Sequence, residues 1–145
     1  MKSMLKDYMR GGACFQIALG ACLDFCPTKI MAHTDAHGMI CRKGHSSDYW
    51  RAKGIRPWSG TKDPTQAFMD EICFELHEDG TRRKATKIKI DKSICTLNRL
   101  AKRYPSSRVF VGVDGHCVAL IDGDIYDHTY KKGRRVDWAW LIEEI

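Results

Sequence analysis

The stretch Gly115-His116-Cys117-Val118-Ala119-Leu120-Ile121-Asp122-Gly123-Asp124-Ile125-Tyr126-Asp127 constrains the fold more than any other part of the chain. A two-residue type I′ turn needs positive φ at both central positions, which Asp-Gly tolerates, and apolar runs flank this pair on both sides. With Asp122 and Gly123 as the loop, Ile121 opposes Asp124, Leu120 opposes Ile125, Ala119 opposes Tyr126 and Val118 opposes Asp127. Alternation along a strand then gives His116, Val118 and Asp127 one common face. His116 and Asp127 become diagonal neighbours, roughly 7–8 Å apart at the backbone, a gap the two side chains can close. Asp124 faces the other way, and Asp122 is used in the turn.

A carboxylate beside an imidazole fixes its tautomer and steadies the imidazolium, which is half of a nucleophilic site. The same pair can also simply satisfy itself on a sheet. A nucleophile is offered by Cys14, which opens Cys14-Phe15-Gln16-Ile17-Ala18-Leu19-Gly20-Ala21-Cys22-Leu23, a small, apolar, uncharged run that reads as a helix buried nearly all round. The free amides and positive dipole end of a helix favour a thiolate, lowering its pKa. Gly11 and Gly12 before it permit close approach of a substrate, and the Cys14 amide is a candidate oxyanion donor. The alternative for Cys14 is a plain buried thiol, the commoner fate of a cysteine in an apolar helix.

A chain of 145 residues, 43% hydrophobic and 29% charged, is read as one domain over 1–145, with a helical part over about 1–80 and a sheet part over about 81–145. No apolar run approaches the roughly 18 residues of a membrane span. Met1 to Arg10 lacks the apolar core of a signal peptide, so a cytoplasmic protein without membrane association is expected. The seven cysteines (Cys14, Cys22, Cys26, Cys41, Cys73, Cys95 and Cys117) are odd in number and suit reduced, mostly buried thiols. The formal charge of +6 is spread along the chain rather than set on one helix with interleaved aromatics. That pattern argues against specific nucleic-acid recognition and for a solvated surface or a general attraction to acidic partners.

Residues 24–62 contain His33, His37, Cys41 and His45, ligand-type side chains four residues apart, with Cys22 and Cys26 just upstream. They form an alternative zinc-ligand set, although Gly38 and Gly44 break a continuous helix; the other reading is an irregular segment flanking an active site, with no cofactor. Asp63-Pro64 reads as a helix start, with Phe68, Ile72 and Leu76 at helical spacing. Lys84 to Ile90 reads as an edge strand, Thr96 as the cap of a helix over Leu97 to Tyr104, Arg108 to Val113 as a strand and Arg135 to Leu141 as a final strand.

An early Cys on a buried helix, followed about a hundred residues later by His at a strand start and Asp on the next strand, resembles the papain-like cysteine peptidases and their amidase and transglutaminase-like relatives. The likeness is closest over 94–140, where a short helix ending in Tyr-Pro, a strand, Gly-His-x-x-Ala-x-x-Asp-Gly-x-x-Tyr-Asp and a Trp-containing strand are similar to small papain-like proteins of tailed bacteriophages. The resemblance implies an α+β fold in which a buried N-terminal helix carrying Cys14 packs on a C-terminal antiparallel sheet. It implies a thiol hydrolase acting on a peptide or amide, with Cys14 as nucleophile, His116 as general base and acid and Asp127 orienting His116, at work in the host cytoplasm if the chain is phage-encoded. Papain-like enzymes usually carry an oxyanion Gln several residues before the Cys; here Gln16 follows it and no upstream Gln exists. An inactive papain-fold protein that binds a host or defence-system partner, and a zinc-stabilised binding module, are the competing expectations.

Overall fold

A computed structural model describes residues 14–26, 29–30, 32–33, 63–74, 80–113, 116–126 and 134–145. Within them, helix α1 spans Cys14–Leu23, α2 Gln66–Phe74 and α3 Leu97–Arg103. Five strands, β1 (Arg83–Ile88), β2 (Arg108–Val113), β3 (His116–Ile121), β4 (Asp124–Tyr126) and β5 (Trp138–Glu144), form one sheet in the order β1-β5-β2-β3-β4. Every neighbouring pair is antiparallel. The class is therefore α+β.

The central hairpin forms in the expected register: Ile121 opposes Asp124, Leu120 opposes Ile125 and Ala119 opposes Tyr126. Asp122 and Gly123 take φ of 52° and 82°, the two left-handed residues that a type I′ turn demands. Glycine carries the second of these without steric penalty. Asp127, which this register would set opposite Val118, lies outside the described residues.

Alternation splits the sheet into two apolar faces. Phe110 of β2, Cys117 and Ala119 of β3, Trp138, Trp140 and Ile142 of β5 and Ala85 of β1 pack with Phe15, Ala18, Leu19 and Cys22 of α1 and with Phe68, Met69 and Ile72 of α2. Val109, Val111, Val113, Val118, Leu120 and Ala139 turn the other way and pack with Leu97, Leu100 and Ala101 of α3. Helices thus cover both faces, so the central strands are buried on both sides and read as near-continuous apolar runs. Helix α1 is buried almost all round, as its uncharged sequence requires.

Helix α1 ends through a left-handed residue, Asp24 at φ 55°, and the Phe25 N–H donates back to the Gly20 carbonyl at 3.0 Å, the six-to-one closure of a Schellman cap. A carboxylate opposes the negative end of a helix dipole. Two guanidiniums offset that cost: Asp24 accepts from Arg83 at 3.0 Å and from Arg108 at 2.6 Å. Arg83 is buried and also pairs with Glu144 at 3.1 Å, so the end of α1 is tied to β1, β2 and β5 together.

Three boundaries differ from expectation. The edge strand runs over Arg83–Ile88, and the final strand is shifted to Trp138–Glu144, while Arg135 makes an isolated bridge with Thr96. Asp63 is not the cap of α2. The Phe68 N–H donates to Thr65 Oγ1 at 3.1 Å, and Asp63 instead accepts from Trp140 Nε1 at 2.8 Å and pairs with Lys87. A buried indole N–H needs a partner, and that need outranks a cap which Thr65 can supply two residues later. Helix α3 is capped as expected, Arg99 N–H donating to Thr96 Oγ1 at 3.2 Å. Among the described residues no helix is long and apolar enough to cross a membrane.

Candidate functional site

Cys14 is the first residue of α1, and two contacts fix the direction of that helix on the sheet. Arg108 Nη1 donates to the Cys22 carbonyl at 3.1 Å, which holds the C-terminal end of α1 at the start of β2. The Phe15 ring meets the Phe110 ring edge-on, with centroids 5.1 Å apart, which holds the N-terminal end further along that strand. Helix α1 therefore runs antiparallel to β2 and parallel to β3. Its first residue stands toward the end of the sheet where β2 finishes at Val113 and β3 begins at His116. The start of α1 is thus directed toward the end of the sheet where His116 begins β3.

The faces differ, however. Cys117 and Ala119 are the β3 residues packed with α1. His116 opposes Val113, which belongs to the face under α3. By alternation His116 shares the face of Val118 and Leu120, where the sequence puts it, and that is the face away from α1. A contact between Cys14 and His116 has to pass round the end of the sheet, a path open to the first residue of a strand and closed to any later one. His116 is half-buried there.

Gln16 is completely buried, and neither atom of its carboxamide has a hydrogen-bond partner among the described residues. It does not replace the missing upstream Gln by position, because helix residues two apart do not share a face. An unsatisfied buried amide costs about 1–3 kcal/mol, so Gln16 is a local expense in α1.

Three of the other cysteines, Cys22, Cys73 and Cys117, are buried. Burial pushes the Cys22 thiol far up, and it pushes Cys73 up to about 12, with Asp70 adding to the effect. Burial also raises Cys95. These thiols behave as small hydrophobes at neutral pH. In the unfolded chain they ionise near the ordinary value of 9.0, whereas in the fold they stay protonated. The folded state then holds more protons, so stability is fully present below about pH 9 and falls as pH rises beyond it, by up to about 1.4 kcal/mol per pH unit for each of the buried Cys22 and Cys73. Urea unfolding between neutral and strongly alkaline pH is expected to show this decline, and Cys73→Ala is expected to reduce its slope; an unchanged slope would remove Cys73 from the account.

Of the zinc-ligand candidates, His33 is half-buried with Nδ1 4.0 Å from Glu71, while His37, Cys41 and His45 lie outside the described residues. Cys22 is enclosed in the apolar core under α1. Among the described residues no group of His, Cys, Asp and Glu is assembled to hold a metal ion.

One feature near this end of the sheet had no sequence signal. The Trp138 ring lies directly over Gly112 of β2, so close that a Cβ on Gly112 would sit 2.0 Å from Cε2. Trp138 also packs edge-on against Phe110 at 5.1 Å, which continues an aromatic chain from Phe15. Beyond Trp138 a groove of about 490 Å³ opens, lined by Lys87, Lys89, Lys92 and Asp137 among others. Compared with protein-family models, with curated proteins and with solved structures, the chain matches none of them.

Proposed function

We propose that the chain is a papain-like cysteine hydrolase, a peptidase or amidase that works by acyl transfer. In this reading the Cys14 thiolate attacks an amide or thioester carbonyl, and the Cys14 amide at the helix start helps hold the oxyanion. His116 then protonates the leaving group, Asp127 orients His116, and water resolves the acyl-enzyme. The observation that supports the reading is that Cys14 opens a ten-residue helix whose N-terminal end is directed toward the end of the sheet where His116 begins β3. The helix dipole favours the thiolate there.

Mapping of carbamidomethylated cysteines after brief exposure to iodoacetamide at about pH 6 tests it, because an ordinary thiol of pKa about 8.5 is almost wholly protonated there. Cys14 is expected to be labelled first of the seven cysteines. Equal sluggishness of all seven would sink the enzyme.

A second reading is favoured by one specific observation, the α1 face of β3 being occupied by Cys117 rather than His116. In that reading the fold is a scaffold that binds a host or defence-system partner without catalysis. Cys14→Ala and His116→Ala would then leave the biological effect intact, while changes on the surface would abolish it.

A further inference from the structure

Three strands end together at the side of the sheet toward which α1 starts. Ile88, the last residue of β1, pairs with Ala139, and Trp138, the first residue of β5, pairs with Gly112 near the end of β2. The chain leaving β1 therefore carries Lys89 and Lys92 past the sheet's edge at the end where His116 opens β3.

The charges in this groove do not cancel. Lys87 is paired with Asp63, which also accepts from Trp140. Lys89 and Lys92 are exposed and have no ion pair among the described residues, and Asp137 is the remaining acid in the lining. Ile88, Ile90 and Trp138 supply apolar walls. A second groove of about 250 Å³, sharing Lys89 and Ile90, is lined by Asp91, Arg99 and Arg103 among others. Basic residues that look scattered in sequence thus border two grooves that meet at Lys89 and Ile90.

We propose that this groove receives acidic side chains of a peptide substrate. The proposal rests on the acyl-transfer reading and names its substrate class. Strand β1, which Lys89 and Lys92 follow, lies three strands from β3, about 14 Å away at the usual interstrand spacing. An extended peptide covers that distance in about four residues. Asp or Glu about four positions from the attacked bond would meet Lys89 and Lys92, with the peptide's apolar parts against Ile88 and Ile90. A single-stranded nucleic acid fits less well, since it needs aromatic faces for its bases. The Trp138 ring is only 7% exposed and is packed over Gly112.

Fluorescence anisotropy with a labelled decapeptide of alternating Glu and Ala, in salt of about 50 mM so that screening is modest, tests the proposal. Lys89→Glu/Lys92→Glu is expected to weaken binding about fivefold or more, the loss expected for two exposed ion pairs. Lys84→Glu/Lys102→Glu changes net charge equally at exposed lysines outside either groove lining and is expected to change binding less than about twofold. Lys89→Gln/Lys92→Gln serves if the charge reversal impairs folding, and is expected to weaken binding in the same direction. Equal losses in the two reversal variants, no loss in either lysine-groove variant, or tighter binding of a labelled deoxythymidine decamer than of the peptide would overturn it. Cys14→Ala is expected to bind the decapeptide like the wild type. Normal peptide binding by the wild type alongside failed labelling of its Cys14 would reject the hydrolase and leave the acid-binding groove standing, whereas normal labelling of Cys14 without peptide binding would reject the groove alone.

Discussion

In the His116→Ala variant, the inflection of Cys14 alkylation against pH is expected to move upward by about one to three units, toward the ordinary thiol value of about 8.5, because the imidazolium that favours the thiolate is gone while the helix start remains. The thiolate fraction at about pH 6 falls accordingly. The more basic thiolate is intrinsically more nucleophilic by a Brønsted slope of about 0.4–0.5, which returns nearly half of that loss on a logarithmic scale. The inflection is therefore the sharper observable, because the two effects oppose each other in the rate but not in the titration. Asp127→Ala is expected to shift the inflection less, since it disorients the imidazole without removing it. If wild type already titrates at about 8.5, the helix start and His116 are not acting on Cys14, and β3 alternation has the simpler consequence that His116 belongs to the α3 face alone.

Gly112→Ala is expected to destabilise the domain by about 3 kcal/mol or more, the upper range for overpacking a closed core. The added Cβ would stand 2.0, 2.2 and 2.5 Å from three atoms of the Trp138 indole. On the core side the ring is held edge-on by Phe110, which is in turn held by Phe15, so relief requires pushing the indole out of its packed position. For a domain of this size the loss corresponds to about 10 °C in Tm. Trp138→Leu in the same background is expected to return at least about 1 kcal/mol, since a smaller side chain leaves room for the methyl. A change of less than about 1 kcal/mol in the single variant would show that β2 and β5 can separate locally at low cost. Both changes lie in the wall between the aromatic core and the lysine groove, so the double variant also reports on whether decapeptide binding needs the indole.

Local chemistry made much of this legible in advance. The hairpin register followed from Asp122-Gly123, because only that pair satisfies two positive φ values between two apolar runs. The buried helix over Cys14–Leu23 followed from the lack of any charged residue in ten, and the Thr96 cap from a hydroxyl preceding a helical run. Asp63 was misread for an equally local reason. Asp-Pro has the chemistry of a helix start, but the indole that claims its carboxylate belongs to a strand some seventy-seven residues away.

Pairings across the fold carry no such mark. Nothing near Gly112 announces Trp138, and nothing near Asp24 announces Arg83 and Arg108. These contacts depend on which strand becomes the neighbour of which, and the order β1-β5-β2-β3-β4 inserts the last strand between the first two. The same order leaves β1 at the sheet's edge, so Lys89 and Lys92 leave it at the end of the sheet where β3 begins.

By itself the sequence determined the elements and the alternation within each: His116 with Val118 on one face of β3, Cys117 with Ala119 on the other, Cys14 at a helix start. Those properties arise from steric and hydrogen-bonding preferences within a few residues. Only the tertiary structure decided which face α1 covers and toward which end it begins. That choice is made by burial of Phe15, Leu19 and Cys22 against Phe110, Cys117 and Ala119, and by Arg108 reaching the last turn of the helix. It is a matter of complementary surfaces from distant parts of the chain, and a single stretch of residues holds only one of the two surfaces.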